Sequence, residues 1–358
     1  MGSRIIIMAG GTGGHVFPAL AVAELLLEKG WQVSWLGTQK GLEGRVIPKK
    51  GIEIDWLSVA GVRGKGLWSK ISAILNLFRA CFQASRIFIK RKPDVVLGMG
   101  GFVAGPGGLM AKLLGIPLII HEQNRVPGTT NRLLARLANR VLEGFPGSFE
   151  AKYAAKATGN PLRKAFLSGL DQQGDREESA VKLLIVGGSQ GAKILNETVP
   201  GAIVELTTLL LNNQQILVKH QTGLAMFDEV KDRYRQLAIT ADVNAFIEDM
   251  SAAYQWADLV ICRAGAMTVS EIAAMGVPAI FIPLPSAIDD HQTANAHYLT
   301  DSGAGIILAQ KELTPESLAL CINVALKKLT VMSNAVKECA FLDATEVVAN
   351  YCIAEAAR

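Results

Sequence analysis

Short apolar runs alternate with longer amphipathic stretches along the whole chain. In the first half the runs "RIIIMAG", "WQVSWLG", "DVVLGMG", "PLIIHEQ" and "RVLEGF" predict strands. The series restarts at "VKLLIVGGS" and continues through "QQILVKHQ", "VNAFIE", "DLVICRAG" and "PAIFIPLP". Apolar runs spaced by helical segments read as βα repetition, hence a parallel sheet covered on both faces. Both halves open alike, with strand, Gly-rich loop and helix: "MAGGTGGH" heads the first and "VGGSQGAK" the second. The pattern predicts an α/β protein of two Rossmann-like parallel-sheet domains facing a central cleft at the carboxyl ends of their strands. Their boundary is expected at "GNPLR", where Pro161 interrupts regular structure, giving domains over 1–162 and 163–340. The polar stretch "LDQQGDREESAV" (170–181) reads as a linker or surface loop. Within 341–358, "ATEVVANYCIAEAAR" predicts a helix packing back on the first domain.

Half of the 358 residues are hydrophobic, which is ample for two cores and unlike a disordered chain. No apolar run reaches the ~18 residues needed to span a bilayer. The N-terminal "IIIMA" is too soon broken by glycine to be expected as a signal peptide. The five cysteines are odd in number and include no C-x-x-C pair. That argues against a zinc site or disulfide framework and for a reducing cytoplasm. The net charge of +4 conceals an asymmetry: residues 1–160 carry 21 Lys/Arg against 9 Asp/Glu, a net +12, and the remainder is −8. The basic half is expected to face an anion, whether a phosphate-bearing substrate, a membrane surface or nucleic acid. No RNP-like, helix-turn-helix or zinc-finger pattern supports the last, so no nucleic-acid partner is expected.

A Gly-rich turn between strand and helix lets backbone N–H groups close on an anion, though it also serves as a tight structural turn. Reading "GGTGGH" as a dinucleotide fingerprint requires an acid at the end of the second strand. That strand ends in Gly37-Thr38, and "ILVKHQTG" in the second half also lacks one. A third loop, "GMGGFVAGPGG" (98–108), again follows a strand. Phosphate-facing loops are therefore expected at 10–14 and 100–108. In "CRAGAMTVSEIAAMGVPAIFIPLP" a strand runs into Gly265-Ala266, where a helix starts and offers N–H groups and the positive dipole end. Thr268 adds a hydroxyl. Glu271 lies one turn down the same face, where a carboxylate suits a ribose diol; it could equally be a glutamate favoured by the dipole alone. "DDHQTANA" (289–296) brings His291, Gln292 and Asn295 to the same edge, and Gln292 suits sugar hydroxyls or plain solvent.

The motifs "GGTGGHVFPALAVAE", "KPDVVLGMGGFVAGPGG", "HEQN", "GNPLR", "GGSQGAKILN", "AGAMTVSEIA" and "HQTANA", in this order and spacing, resemble the MurG family over essentially the whole chain. The departures are slight: Met267 stands where leucine is frequent, and His291-Gln292 where two glutamines can occur. The resemblance implies a GT-B fold and transfer of N-acetylglucosamine from UDP-N-acetylglucosamine to undecaprenyl-pyrophosphoryl-muramoyl-pentapeptide. By the same resemblance, Ile247 backbone atoms read the uracil edge, and Ser189 with Gly265, Ala266, Met267 and Thr268 holds the diphosphate. Glu271 takes the ribose, and Gln292, with His291, the sugar. Arg163 and Asn124 reach the donor from the hinge and the first domain, and Thr12, Gly13 and Gly14 border its sugar. The acceptor diphosphate lies over Gly100, Gly101, Gly105, Gly107 and Gly108. The implied chemistry is inverting: the acceptor 4-hydroxyl displaces UDP from the anomeric carbon while a base takes the proton. His15, whose imidazole suits neutral pH, is the expected base, with Glu122 as rival or orienting partner. His15 could also be a mere helix-start hydrogen-bonder. No D-x-D motif offers a metal site and a helix N-terminus can stabilise the leaving group, so neither metal nor cofactor is expected.

From Ile71 to Lys92 the chain reads "ISAILNLFRACFQASRIFIKRK". At helical spacing Ile71, Ile74, Leu75, Phe78, Cys81, Phe82 and Ile89 share a face edged by Arg79, Arg86 and Lys90. Such a stripe suits anionic lipid headgroups, or simply covers a sheet. With the lipid-linked acceptor that the resemblance implies and the +12 charge of residues 1–160, a peripheral protein on the cytoplasmic face of the bacterial plasma membrane is expected. Competing readings are a transferase using the same donor with another lipid acceptor, a two-domain nucleotide-dependent oxidoreductase, and a non-catalytic UDP-sugar-binding module.

Overall fold

The apolar runs form two separate all-parallel sheets in a computed structural model that describes residues 2–59, 67–167, 180–188, 191–210, 214–285 and 287–358. The chain divides into two compact units, 1–163 with 342–358, and 164–341.

The first unit runs β1 (Arg4–Ala9), α1 (Gly13–Glu28), β2 (Gln32–Gly37), α2 (Glu43–Val46), β3 (Glu53–Trp56), α3 (Leu67–Arg91), β4 (Val95–Gly100), α4 (Ala104–Leu113), β5 (Leu118–Glu122), α5 (Thr129–Leu134), β6 (Arg140–Glu143) and β7 (Lys156–Ala157). Its sheet has the order β3-β2-β1-β4-β5-β6-β7, with Ile7 in register with Trp35 and Leu97. Alternate residues of one strand serve opposite layers. Ile5 and Ile7 pack with Val16, Leu20 and Val22 of α1, whereas Ile6 and Met8 pack with Ala84 and Phe88 of α3 and with Ala104 and Ala111 of α4. Two covered faces explain why β1 after Arg4, and β4 along its whole length, carry no polar side chain.

The second unit contains α6 (Lys164–Leu167), β8 (Ala180–Val186), α7 (Lys193–Leu209), β9 (Gln215–Gln221), α8 (Phe227–Gln236), β10 (Ala241–Asn244), α9 (Met250–Trp256) and β11 (Leu259–Cys262). It continues with α10 (Ala266–Met275), β12 (Ala279–Phe281), α11 (His291–Thr300), β13 (Gly305–Ile307), α12 (Pro315–Leu326) and α13 (Leu329–Glu338). The sheet order is β10-β9-β8-β11-β12-β13. The last helix, α14 (Ala344–Ala356), returns to the first unit, where Val348, Ala349 and Cys352 join the core of α1 and β1. Its buried Glu355 accepts from Arg140 Nε at 2.7 Å.

Three strands escape the apolar pattern: β3, β7 and β13. All are edge strands, two to four residues long, and none is fully buried along its length. The run "VNAFIE" is cut short, because β10 ends at Asn244. Most of the stretch 170–181 lies outside the described residues, and its last two positions, Ala180 and Val181, already belong to β8.

Candidate active site

In the first unit the carboxyl end of β1 turns into α1 through Gly10, Gly11 and Thr12. Gly11 has φ +94°, a conformation that favours glycine, and Thr12 is extended before the helix begins. The loop is held by Glu43, which has no exposed surface. Its Oε2 accepts the Gly11 N–H at 2.9 Å, and its Oε1 accepts the Thr38 N–H at 2.9 Å and the Thr38 hydroxyl at 2.7 Å. This acid beside the end of β2 is therefore consumed by the backbone, not offered to a ribose, which weighs against the oxidoreductase reading.

The loop after β4 is pressed onto this first loop. A Cβ on Gly100 would stand 2.9 Å from two atoms of the His15 ring, and one on Gly101 would overlap the Gly10 carbonyl. Both glycines also have positive φ. Gly107 and Gly108 are different. They lie inside α4 and are buried, and a Cβ there would strike Met8 Sδ or stand 2.6 Å from Leu134. Their bareness serves helix packing, which corrects the expectation that they face a diphosphate. Gly105 is half-buried in the first turn of α4, with a Cβ position 3.7 Å from Thr130. Gly13 and Gly14 begin α1 beside Thr12.

His15 lies in the first turn of α1, half-buried, with Nδ1 2.7 Å from Gln123 Oε1. Glu122 ends β5 and is buried. Its Oε1 accepts from Asn124 N and Nδ2 at 2.9 and 3.2 Å; its Oε2 accepts from Gly128 N and Asn131 Nδ2 at 3.0 and 2.9 Å. Four donors occupy this carboxylate, so it organises the 124–131 loop, which weighs for the orienting role over that of rival base. Asn124, half-buried, donates to the same carboxylate through its backbone N–H and its Nδ2. Arg163 stacks over Phe17, its guanidinium carbon 5.4 Å from the ring centroid.

In the second unit, residues after β8, β11 and β12 enclose a cavity of about 630 Å³ lined by Gly188, Gly191, Arg263, Gly265, Thr268 and Gln292, among others. Gly265 caps α10 with extended backbone, so the helix N-terminus opens at the wall. Ala266 is buried, and Met267 and Glu271 are half-buried; none of the three lines the cavity. Glu271 Oε2 accepts from the Tyr254 hydroxyl at 3.5 Å. Gln292 Oε1 accepts the Leu284 N–H at 3.0 Å, so the group it can offer a ligand is its Nε2 donor. His291 is the first residue of α11 and half-buried, outside the cavity lining. Asn295 is buried and donates to the Ala264 carbonyl at 3.1 Å. Ser189 lies outside the described residues.

Gln221, Arg263 and Lys193 were not singled out by sequence reasoning. Gln221 Nε2 donates to the Gly188 carbonyl at 2.9 Å while its Oε1 accepts the Ile247 N–H at 2.8 Å. One side chain thus fixes the Gly-rich loop to the backbone expected to read a base, and it occupies that backbone donor. Arg263 donates to the Ile282 and Pro283 carbonyls and to Gln310 Oε1, and burial lowers its pKa from the usual value. Its position inside "CRAGAMT", between strand and helix, was the available signal. Lys193 opens α7 after the second Gly loop and also lines the cavity.

On α3 the buried face is Ala80, Ala84 and Phe88. Ile74, Leu75, Phe78, Phe82 and Ile89 are exposed, Phe78 by 69% and Phe82 by 64%. The Arg86 guanidinium carbon stands 5.9 Å from the Phe82 ring centroid. The Ile71 side chain lies outside the described ones.

Residues 5–143 match the glycosyltransferase family 28 N-terminal domain and residues 182–348 its C-terminal domain. The chain is 58% identical over 359 residues to the UDP-N-acetylglucosamine–N-acetylmuramyl-(pentapeptide) pyrophosphoryl-undecaprenol N-acetylglucosamine transferase of Methylococcus capsulatus, covering 99% of each. It is 49% identical to the protein of the same name from Shewanella denitrificans, over 100% of this chain and 98% of that one. Among solved structures, Acinetobacter baumannii MurG superimposes with a TM-score of 0.86 at 42% identity, over 98% of this chain and 99% of that one. A Neisseria meningitidis UDP-GlcNAc 2-epimerase, at 12% identity and TM-score 0.66, shares the fold alone.

Proposed function

The chain belongs to the MurG family of glycosyltransferase family 28, and on that premise we propose how its residues divide the transfer. It is a GT-B enzyme that moves N-acetylglucosamine from UDP-N-acetylglucosamine to lipid-linked N-acetylmuramoyl-pentapeptide, forming lipid II in peptidoglycan synthesis.

UDP-N-acetylglucosamine binds the second unit. The observation that carries this reading is the cavity at the N-terminus of α10, where Gly265, Thr268 and Arg263 line the same space as Gly188 and Gly191. Helix N–H groups, a hydroxyl and a guanidinium are what a diphosphate needs, and the same groups stabilise the charge on departing UDP. Glu271 holds the ribose diol and Gln292 donates to the sugar. The acceptor diphosphate lies over Gly100, Gly101 and the start of α4 in the first unit. As its 4-hydroxyl oxygen bonds to the anomeric carbon, the bond from that carbon to UDP breaks, and UDP leaves with the electron pair. The hydroxyl proton goes to His15.

Docking on the cytoplasmic membrane surface is assigned to α3. Its exposed phenylalanines, flanked by Arg79 and Arg86, and the net +12 of residues 1–160 support this. No single helix among the described residues is long and apolar enough to cross a membrane. The test is transfer of radiolabel from UDP-N-acetylglucosamine to the muramoyl lipid beside a control glycolipid. Label is expected in the muramoyl product alone; equal labelling of the control would overturn the acceptor assignment.

A further inference from the structure

Four groups form a hydrogen-bonded chain in the first unit. His15 Nδ1 meets Gln123 Oε1 at 2.7 Å, and Gln123 Nε2 meets both His121 Nδ1 and the His121 carbonyl at 3.0 Å. At the far end His121 Nε2 meets the Gly159 carbonyl at 3.0 Å. Gln123 and His121 are buried, and Asn160 Nδ2 fixes the Gln123 backbone by donating to its carbonyl at 3.0 Å.

Two backbone carbonyls set the direction of every link, because a carbonyl can only accept. The His121 carbonyl requires the amide nitrogen of Gln123 on its side, which turns Oε1 towards His15. The Gly159 carbonyl requires a proton on His121 Nε2. Burial pushes the His121 pKa down to about 4, so the ring is neutral near pH 7 and carries one N–H. Its Nδ1 is then an acceptor for the second Gln123 amide hydrogen. The remaining link has one solution: Oε1 is an acceptor, so His15 Nδ1 bears a hydrogen. The partner of one ring nitrogen decides the state of the other.

We infer that Gln123 is a positioning residue that holds neutral His15 as the Nδ1–H tautomer, leaving the basic lone pair on Nε2. The inference rests on His15 being the base. It adds which nitrogen takes the acceptor proton and what excludes the alternative neutral tautomer, with its hydrogen on Nε2. Gly100 leaves room for the ring: a Cβ there would stand 2.9 Å from His15 Nδ1 and Cε1. Nothing in the sequence pattern links His15 to Gln123, which are 108 positions apart.

The test is ¹⁵N NMR of the full chain labelled in its five histidines, with His15 assigned by loss of its signals in His15→Gln. In the neutral form of the ring the parent is expected to show a protonated Nδ1 and an unprotonated Nε2 at His15. Gln123→Met keeps the side-chain length and removes the acceptor. His15 is expected to move to the Nε2–H form, with kcat falling roughly 10- to 100-fold and KM for UDP-N-acetylglucosamine unchanged. The parent tautomer is read without any variant, so the inference stays testable if the methionine variant melts early. A parent His15 with its proton on Nε2, or a folded Gln123→Met with the parent tautomer, overturns the inference. A changed tautomer with intact kcat keeps the relay and removes His15 from the role of base.

Discussion

Glu43 accepts the Gly11 N–H at 2.9 Å from a position with no exposed surface, and so ties the end of the first Gly-rich loop to the end of β2. Removing the carboxylate orphans two N–H groups and one hydroxyl, each at a cost on the order of 1–3 kcal/mol. Glu43→Ala is therefore expected to melt well below the parent, and Glu43→Gln, which keeps an acceptor, to lose less. Thermal denaturation followed by circular dichroism decides it; an unchanged melting temperature for the alanine variant would contradict the role.

At Glu271 the expected effect is on binding. Losing charge-assisted hydrogen bonds to a ribose diol costs on the order of 1.5–3 kcal/mol, so Glu271→Ala should weaken UDP roughly 10- to 100-fold. The variant also loses the contact to Tyr254, so folding is checked in the same preparation. Calorimetry giving the parent affinity in a folded variant would remove Glu271 from the donor site.

Acid should destabilise both units through their buried histidines. The folded pKa of His121 is about 4 and that of His220 about 3, both depressed by burial below the ordinary 6.5. Between those values and 6.5 the unfolded chain binds protons that the folded chain does not, so stability falls as pH falls through that window. For His121 the full loss, reached near pH 4, is about 3 kcal/mol at 1.36 kcal/mol per pKa unit. Urea unfolding at a series of pH values from 7 to 4.5 measures it. A midpoint that stays flat over the series would contradict neutral, buried rings.

Transfer should survive chelation. The groups assigned to the leaving diphosphate are the α10 N-terminus, Thr268 and Arg263, and all belong to the protein. An assay after exhaustive EDTA treatment should retain the parent rate; loss restored by Mg²⁺ or Mn²⁺ would show that a metal shares the work.

On α3 a double change, Phe78→Ser with Phe82→Ser, should weaken binding to anionic liposomes without lowering the melting temperature, because both rings are exposed. Phe88 is the contrast: it is buried, and Phe88→Ala should cost about 3–5 kcal/mol. Arg79→Glu with Arg86→Glu should abolish most of the salt dependence, each cation near such a surface being worth about 1 kcal/mol. Folded variants that sediment with liposomes like the parent would leave the docking surface elsewhere.

Local periodicity alone determined the fold class. The central stretches of "RIIIMAG" (Ile5–Ala9) and "DLVICRAG" (Leu259–Cys262) are apolar at every position because both sheet faces are covered, and that is legible without knowing which helix covers which face. Edge strands such as β3 and β13 carry a weaker signal, since one side lacks a partner strand and burial along them is partial. Motif spacing likewise carried the family and the loops at Gly100-Gly101 and Gly265-Thr268. What it could not supply was anything set by neighbours distant in sequence. Helical spacing marks an apolar stripe on α3, but only the packing of Ala84 and Phe88 on the sheet leaves Phe78 and Phe82 in solvent. Gly107 and Gly108 read like their neighbours Gly100 and Gly101, yet face Met8 and Leu134 within the core. Glu122 reads as a candidate base until its four donors are in place. A residue type states which protons a side chain can give or take; tertiary contacts decide which are already committed, and so which nitrogen of His15 keeps a lone pair.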